Sequence, residues 1–231
     1  TSPVHLKQQI LKDFGLSAHP ESSSVNDDEF TDYKTESYLV SFFGRLNYTL
    51  MDRYLLTFTL RDDGSSRFSP ETRWGLFPSA AFAWKVIDES FMADQQLFSD
   101  LKLRLGYGVT GQQNISDNDY PYMARYTWGL NNAQYMFGNS YYTTLRPEGY
   151  DANIKWEETT TYNIGLDYGF ADNRINGAID VYKRQTNDLI NFIPVPAGTN
   201  LSNYILTNVG NLENQGVEFS INVIPVSKKD L

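Results

Sequence analysis

Between residues 38 and 50 the even positions are Tyr38, Val40, Phe42, Gly44, Leu46, Tyr48 and Leu50. The odd positions include Ser41, Arg45, Asn47 and Thr49. Successive side chains of a strand point to opposite sides, so a period of two predicts a β-strand with one apolar face. After the short turn Met51-Asp52-Arg53 the alternation resumes through Tyr54, Leu56, Phe58 and Leu60, again on even positions. Two long alternating runs joined this closely predict a hairpin.

The unit recurs. A third strand is predicted over residues 73–86, with Trp74, Leu76, Pro78, Ala80, Phe82, Trp84 and Val86 on one face. Pro78 donates no ladder hydrogen bond, so it marks a bulge or a locally unpaired position. Residues 88–99 suit one or two helical turns. A fourth strand over 101–110 sets Leu101, Leu103, Leu105, Tyr107 and Val109 against Lys102, Arg104, Gly106, Gly108 and Thr110. Further strands are predicted over 161–170, 175–182 and 217–223. The connections after the first and fifth strands are tight, and the one after the third is intermediate. Those after the second, fourth and sixth (61–70, 111–155 and 191–212) are long, polar and rich in turn residues. The long connection at 111–155 is expected to hold short strands near 120–126 and 133–137.

Short turns at one end and long loops at the other are the pattern of a transmembrane up-and-down barrel. The expected fold class is therefore all-β, an antiparallel up-and-down meander forming part of a large transmembrane β-barrel wall. Aromatic residues agree with it. Tyr48, Tyr54, Trp84, Tyr168 and Phe170 fall on apolar faces near the short-turn end; Tyr38, Trp74 and Tyr107 fall near the long-loop end. Such girdles mark the two membrane interfaces. Lys183 shares parity with Ile179 and Val181, high on its strand, where it would snorkel to the outer interface. The competing architecture is a soluble β-sandwich serving as a sugar-binding or adhesion module, which also alternates but with shorter strands.

Composition narrows the function. The 231 residues carry a net charge of -9, which argues against nucleic acid as a partner. Without cysteine there is neither a disulfide framework nor a thiol nucleophile. No run of about 18 apolar residues exists, so no transmembrane helix is expected, which leaves barrel strands open. Gly106-Tyr107-Gly108-Val109-Thr110-Gly111 matches the dinucleotide fingerprint in letters but lies inside a strand with no helix after it, so it reads as a wall that approaches other backbone closely. Asp117-Asn118-Asp119 lacks calcium-loop spacing, and His5 and His19 have no metal spacing. No catalytic, cofactor-binding or metal residue is nominated, and an enzyme is not expected. Arg45, Lys85, Lys102 and Arg104 fall on polar faces, where a barrel would have them line the lumen. Trp128, Tyr135, Tyr141, Tyr142 and Tyr150 in the longest loop are the candidate substrate contacts, by stacking on sugar rings or packing on partner loops.

An ordered set of motifs carries a family resemblance. It runs Ser41-Phe42-Phe43-Gly44-Arg45-Leu46-Asn47-Tyr48, Asp52-Arg53-Tyr54-Leu55-Leu56, Arg61-Asp62-Asp63-Gly64-Ser65-Ser66-Arg67-Phe68, Trp74-Gly75-Leu76-Phe77-Pro78-Ser79, Leu101-Lys102-Leu103-Arg104, Gly108-Val109-Thr110-Gly111-Gln112, Lys155-Trp156-Glu157, Asn163-Ile164-Gly165-Leu166-Asp167, Asn208-Val209-Gly210 and Gly216-Val217-Glu218. In this order it resembles the SusC/RagA family of TonB-dependent outer-membrane transporters. The resemblance implies a place in the outer membrane of a Gram-negative cell, in contact with lipid. It also implies import of oligosaccharides or peptides, a SusD-like surface lipoprotein as lid, and energy from TonB through an N-terminal region absent here. A TonB-dependent receptor for a metal chelate (a siderophore) is the alternative within the same barrel class. Residues 1–35 match nothing in the family pattern and are expected to be an irregular, extracellular loop segment. Residues 36–231 are expected to be a partial barrel of about seven strands, a central slice of a longer protein without its plug.

Overall fold

The computed structural model describes residues 35–113, 119–130, 132–196, 198 and 202–225. The expectation for residues 1–35 falls almost wholly outside them. Seven strands form one antiparallel sheet: β1 (Leu39–Leu50), β2 (Tyr54–Ser65), β3 (Trp74–Lys85), β4 (Phe98–Gln112), β9 (Glu157–Phe170), β10 (Ile175–Asn187) and β13 (Leu212–Val223). They pair strictly in chain order, so the sheet is an uninterrupted meander. The strands are 12 to 15 residues long, more than the roughly 9–11 needed to cross a bilayer with tilt.

Register keeps the two faces apart. Leu46 lies opposite Phe58 and Phe58 opposite Ala80; Leu105 pairs with both Phe82 and Ile164, and Ile164 with Val181. A one-residue slip anywhere would invert that order. Phe42, Leu46, Phe58, Ile164, Val217 and Phe219 are all exposed along this face. In a soluble sandwich a second sheet would cover them. Here the meander leaves a continuous apolar surface, as a lipid-facing wall does.

Both tight turns have residues with left-handed backbone at their centres. Met51 and Asp52 have φ of 52° and 54°, and Asp172 and Asn173 have 55° and 60°. This geometry matches the twist of the flanking strands. The β3–β4 connection holds two 3-10 turns, Val86–Asp88 and Ser90–Met92. There Glu89 accepts hydrogen bonds from the Tyr54 hydroxyl, from Trp84 Nε1 at 2.9 Å and from Arg53 Nη1 at 2.9 Å. Tyr54 and Trp84 stack with centroids 6.3 Å apart. The hydrogen bond from Tyr54, then that from Trp84, holds the Glu89 carboxyl below its ordinary range, with Arg53 adding to the effect.

Several sequence expectations need correction at the other end of the sheet. Residues 61–65 are strand rather than loop: Arg61 to Gly64 pair with β1 on one side and β3 on the other, and two ladders outweigh the local turn preference of Asp62-Asp63-Gly64. Of the two readings of Pro78, the locally unpaired position holds and the bulge does not. Its register opposite Leu60 is continuous, and the β3–β4 ladder begins only at Ser79, so the proline sits where pairing lapses. Residues 191–212 are not plain loop, because β11 (Ile190–Pro194) and β12 (Tyr204–Asn208) pair there. The longest connection holds β5 (Tyr126–Trp128), β6 (Gln134–Phe137), β7 (Ser140–Thr143) and β8 (Leu145–Pro147). Of the short strands expected there, the one near 133–137 is present and the one near 120–126 is replaced by turns.

Candidate functional site

The long-loop end has a small apolar core of its own. Phe68, Phe77, Ile154 and Trp156 are buried together, with Val109, Tyr122, Ile190 and Leu206 against them. The Trp156 ring lies 5.2 Å from Phe68 and 5.3 Å from Phe77. Trp156 Nε1 donates to the Arg73 carbonyl at 2.8 Å, and Thr72 Oγ1 donates to the Ile154 carbonyl at 2.7 Å. Arg67 pairs with Asp119 at 3.1 Å. Asp117 and Asn118, the other members of the acidic run, lie outside the described residues. Asn208 accepts from the Lys155 amide at 2.9 Å and donates to the Asp188 carbonyl at 2.7 Å. Three loops are thereby fastened onto the wall.

Phe77 makes this possible from the polar-face side of β3. Where β3 and β4 stop pairing, its ring lies against Gly111 and Gly75. A methyl carbon added at Gly111 would sit 2.2 Å from Phe77 Cζ, and one at Gly75 2.5 Å from it. The close approach therefore falls on Gly111. At Gly106 and Gly108 an added carbon would meet only ordinary contacts at 3.6 and 3.5 Å, so the middle of the fingerprint-like run is open wall rather than tight packing.

The candidate contact residues lie in the loop above this core. β5 to β8 build one hairpin, joined by Gly129 N–H donating to the Thr144 carbonyl at 2.7 Å and Thr144 N–H to the Ala133 carbonyl at 3.0 Å. Gly138, with φ of 65°, begins its tip. Tyr135 lies opposite Tyr142, while Tyr141 lies opposite Met136. Tyr135 and Tyr142 thus share one face and Tyr141 takes the other. Trp128 lies opposite Leu145 lower on the hairpin, and Tyr150 follows it. All five are exposed, as is Phe137 at the tip. The hairpin brings together Tyr135 and Tyr142 and does not gather the five into one pocket.

On the polar face the charges are ordered. Lys102 Nζ meets Asp167 at 2.8 Å, and Arg104 bridges Asp167 at 2.8 Å and Asp180 at 3.0 Å. The bridge crosses β9 above Gly165, where an added carbon would lie 2.5 Å from the Asp180 carboxylate. Arg45 Nε donates to Thr59 Oγ1 at 3.1 Å. The alternation puts these cations on the polar face, but their partners lie one and two strands away, where no local pattern shows them. Lys183, on the apolar parity, pairs with Glu213 at 3.1 Å near the long-loop end. Among the described residues no cluster of three metal-ligating side chains occurs.

Comparison with known proteins agrees with this architecture. Residues 9–223 match the family profile "TonB dependent receptor-like, beta-barrel". The TonB-dependent receptor SusC of Bacteroides thetaiotaomicron is 55% identical over 202 residues, which cover 87% of this chain and 20% of that protein. The RagAB peptide importer in its open-open state superposes with a TM-score of 0.75 at 28% identity, over 91% of this chain and 22% of its partner in the comparison. A ferric enterobactin receptor of Pseudomonas aeruginosa, at 17% identity and a TM-score of 0.54, shares the fold over 83% of this chain and 25% of its own. The chain spans about a fifth of the length of the curated relatives it matches. It belongs to the TonB-dependent receptor β-barrel family, and its seven-stranded sheet is a sector of that transmembrane barrel wall.

Proposed function

We propose that the protein containing this sector is a TonB-dependent nutrient importer of a Gram-negative outer membrane, taking up oligosaccharides, or peptides, with a SusD-like lipoprotein as its lid. The observation that carries this reading is the 55% identity to SusC across 87% of the chain. Relatives at 17% identity share the fold alone, so the siderophore alternative draws no comparable support. Residues 36–231 serve as wall and loops, with the fastened loop core holding the mouth in shape.

The mechanism is binding and gated passage rather than covalent chemistry. Trp128, Tyr135, Tyr141, Tyr142 and Tyr150 offer flat apolar faces to a sugar ring or peptide side chain on the arrival side. TonB would supply the pull through a region outside this chain. Deleting the parent gene and growing the strain on oligosaccharides, peptides or ferric chelates as sole sources tests the reading. Growth should fail on one class of oligosaccharide or peptide. A defect confined to iron limitation would replace the reading with the siderophore receptor.

A further inference from the structure

We propose that the inner wall of this sector carries a carboxylate-binding subsite centred on Arg184, which takes an acidic group of the imported substrate. This rests on the importer reading and adds a substrate feature to it. The subsite is a groove of about 480 Å³ lined by Thr110, Thr159, Thr161, Arg184, Thr186 and Asn214, with Leu212 at its rim. Register arranges these residues as two adjacent rows. Thr110, Thr159, Thr186 and Leu212 face one another across four strands, and Thr161, Arg184 and Asn214 form the next row. Gly108 completes the second row without a side chain and leaves that end open. The Thr186–Leu212 pair closes the β10–β13 ladder at the long-loop end, so the groove opens directly beneath the loops that meet an arriving ligand.

Arg184 differs from the other cations on this face of β4, β9, β10 and β13. Lys102 and Arg104 are neutralised by Asp167 and Asp180. Arg184 is exposed, and no ion pair or hydrogen bond engages its side chain among the described residues. Its flanking neighbours Thr161 and Asn214 likewise have uncommitted side chains, whereas Thr159 and Thr186 bond each other at 2.8 Å. The nearest acid of β9 on this face, Glu157, accepts the Ile190 amide at 3.2 Å. A guanidinium flanked by a hydroxyl and an amide presents a fork of donors that matches a carboxylate. The row below is closed, because the Tyr182 ring lies over Gly216.

The full-length receptor in detergent tests this by ligand-observed NMR titration. Trigalacturonate is compared with galactotriose, and triglutamate with trialanine. One charged probe should bind about tenfold tighter than its neutral counterpart, and whichever pair shows the gap names the source as a uronic sugar or an acidic peptide. Arg184→Gln should erase the gap, Arg184→Lys should keep part of it, and Arg45→Gln, on the same face outside the groove, should leave it intact. Equal affinities within both pairs, or a gap that survives Arg184→Gln, would overturn the subsite. So would an Arg184→Gln receptor that merely unfolds more easily, with the gap unchanged, since Arg184 would then serve an acidic segment of the protein itself. Equal affinities within both pairs for the wild-type receptor, in a strain whose deletion shows the expected glycan or peptide growth defect, sink the subsite alone. An Arg184-dependent gap in a receptor whose deletion has no glycan or peptide phenotype sinks the importer reading alone.

Discussion

At the scale of single residues, two contacts make sharp demands. Phe77 fills the space between Gly75 and Gly111, so Gly111→Ala forces the ring out of a packed site and should cost about 1–3 kcal/mol. Phe77→Leu combined with it should recover much of that loss; urea unfolding of the full-length protein in vesicles measures both, and a neutral Gly111→Ala would contradict the packing. Glu89 makes a pH-dependent demand. Its folded carboxyl titrates below the ordinary value of 4.5, chiefly because Tyr54 and then Trp84 donate to the carboxylate. A depressed folded pKa means the stabilisation is complete above that value and is lost as pH falls through the lowered one. The stability difference between wild type and Glu89→Gln should therefore be largest near neutrality and shrink below about pH 4.5. A difference that holds constant down to pH 3 would show that the carboxylate is not what the turn uses.

At the scale of elements, loop length assigns the sides. The tip of the β5–β8 hairpin should face the cell exterior and the 171–174 turn the periplasm. An epitope tag inserted at Gly138 should be reached by antibody on intact cells, and one at Asn173 only after permeabilisation; the reverse pattern would invert the topology. The strands were legible in the sequence because one face of each meets a uniform environment, which leaves an unbroken period of two from Tyr38 to Leu50 and from Tyr162 to Phe170. The β2 extension through Ser65 was hidden, because Asp62-Asp63-Gly64 has turn chemistry and only pairing on both sides makes it strand. The loop core was hidden for a related reason. Phe77 stands at a polar-face position between Gly75 and Ser79, and nothing local says that Phe68, Ile154 and Trp156 come to meet it. An aromatic off the alternating parity was the available signal. The five loop aromatics were found by composition, but their division between two hairpin faces depends on register that no short motif encodes.

At the scale of the whole molecule, the account stands on one face of the sheet looking at lipid. A seven-stranded meander with an exposed apolar face and open edge strands has no reason to stay monomeric in water. The isolated chain in buffer should show no cooperative melt, and a sharp monomeric transition would contradict a wall sector. The most direct measurement is the folding free energy of the full-length protein in lipid vesicles, with arginine placed along β2. Phe58 lies between the Tyr54–Trp84 stack at the short-turn end and the Phe42–Trp74 stack at the long-loop end. Phe58→Arg should cost roughly 2–4 kcal/mol, because the charge lacks water or a partner at that depth. Leu56→Arg should cost less, and Tyr54→Arg less again, limited to its lost hydrogen bond to Glu89 and stack on Trp84. Thr59→Arg, which points to the polar face, should cost less than Phe58→Arg. Equal penalties at Tyr54, Leu56 and Phe58, or a larger one at Thr59 than at Phe58, would show that this face does not meet the bilayer.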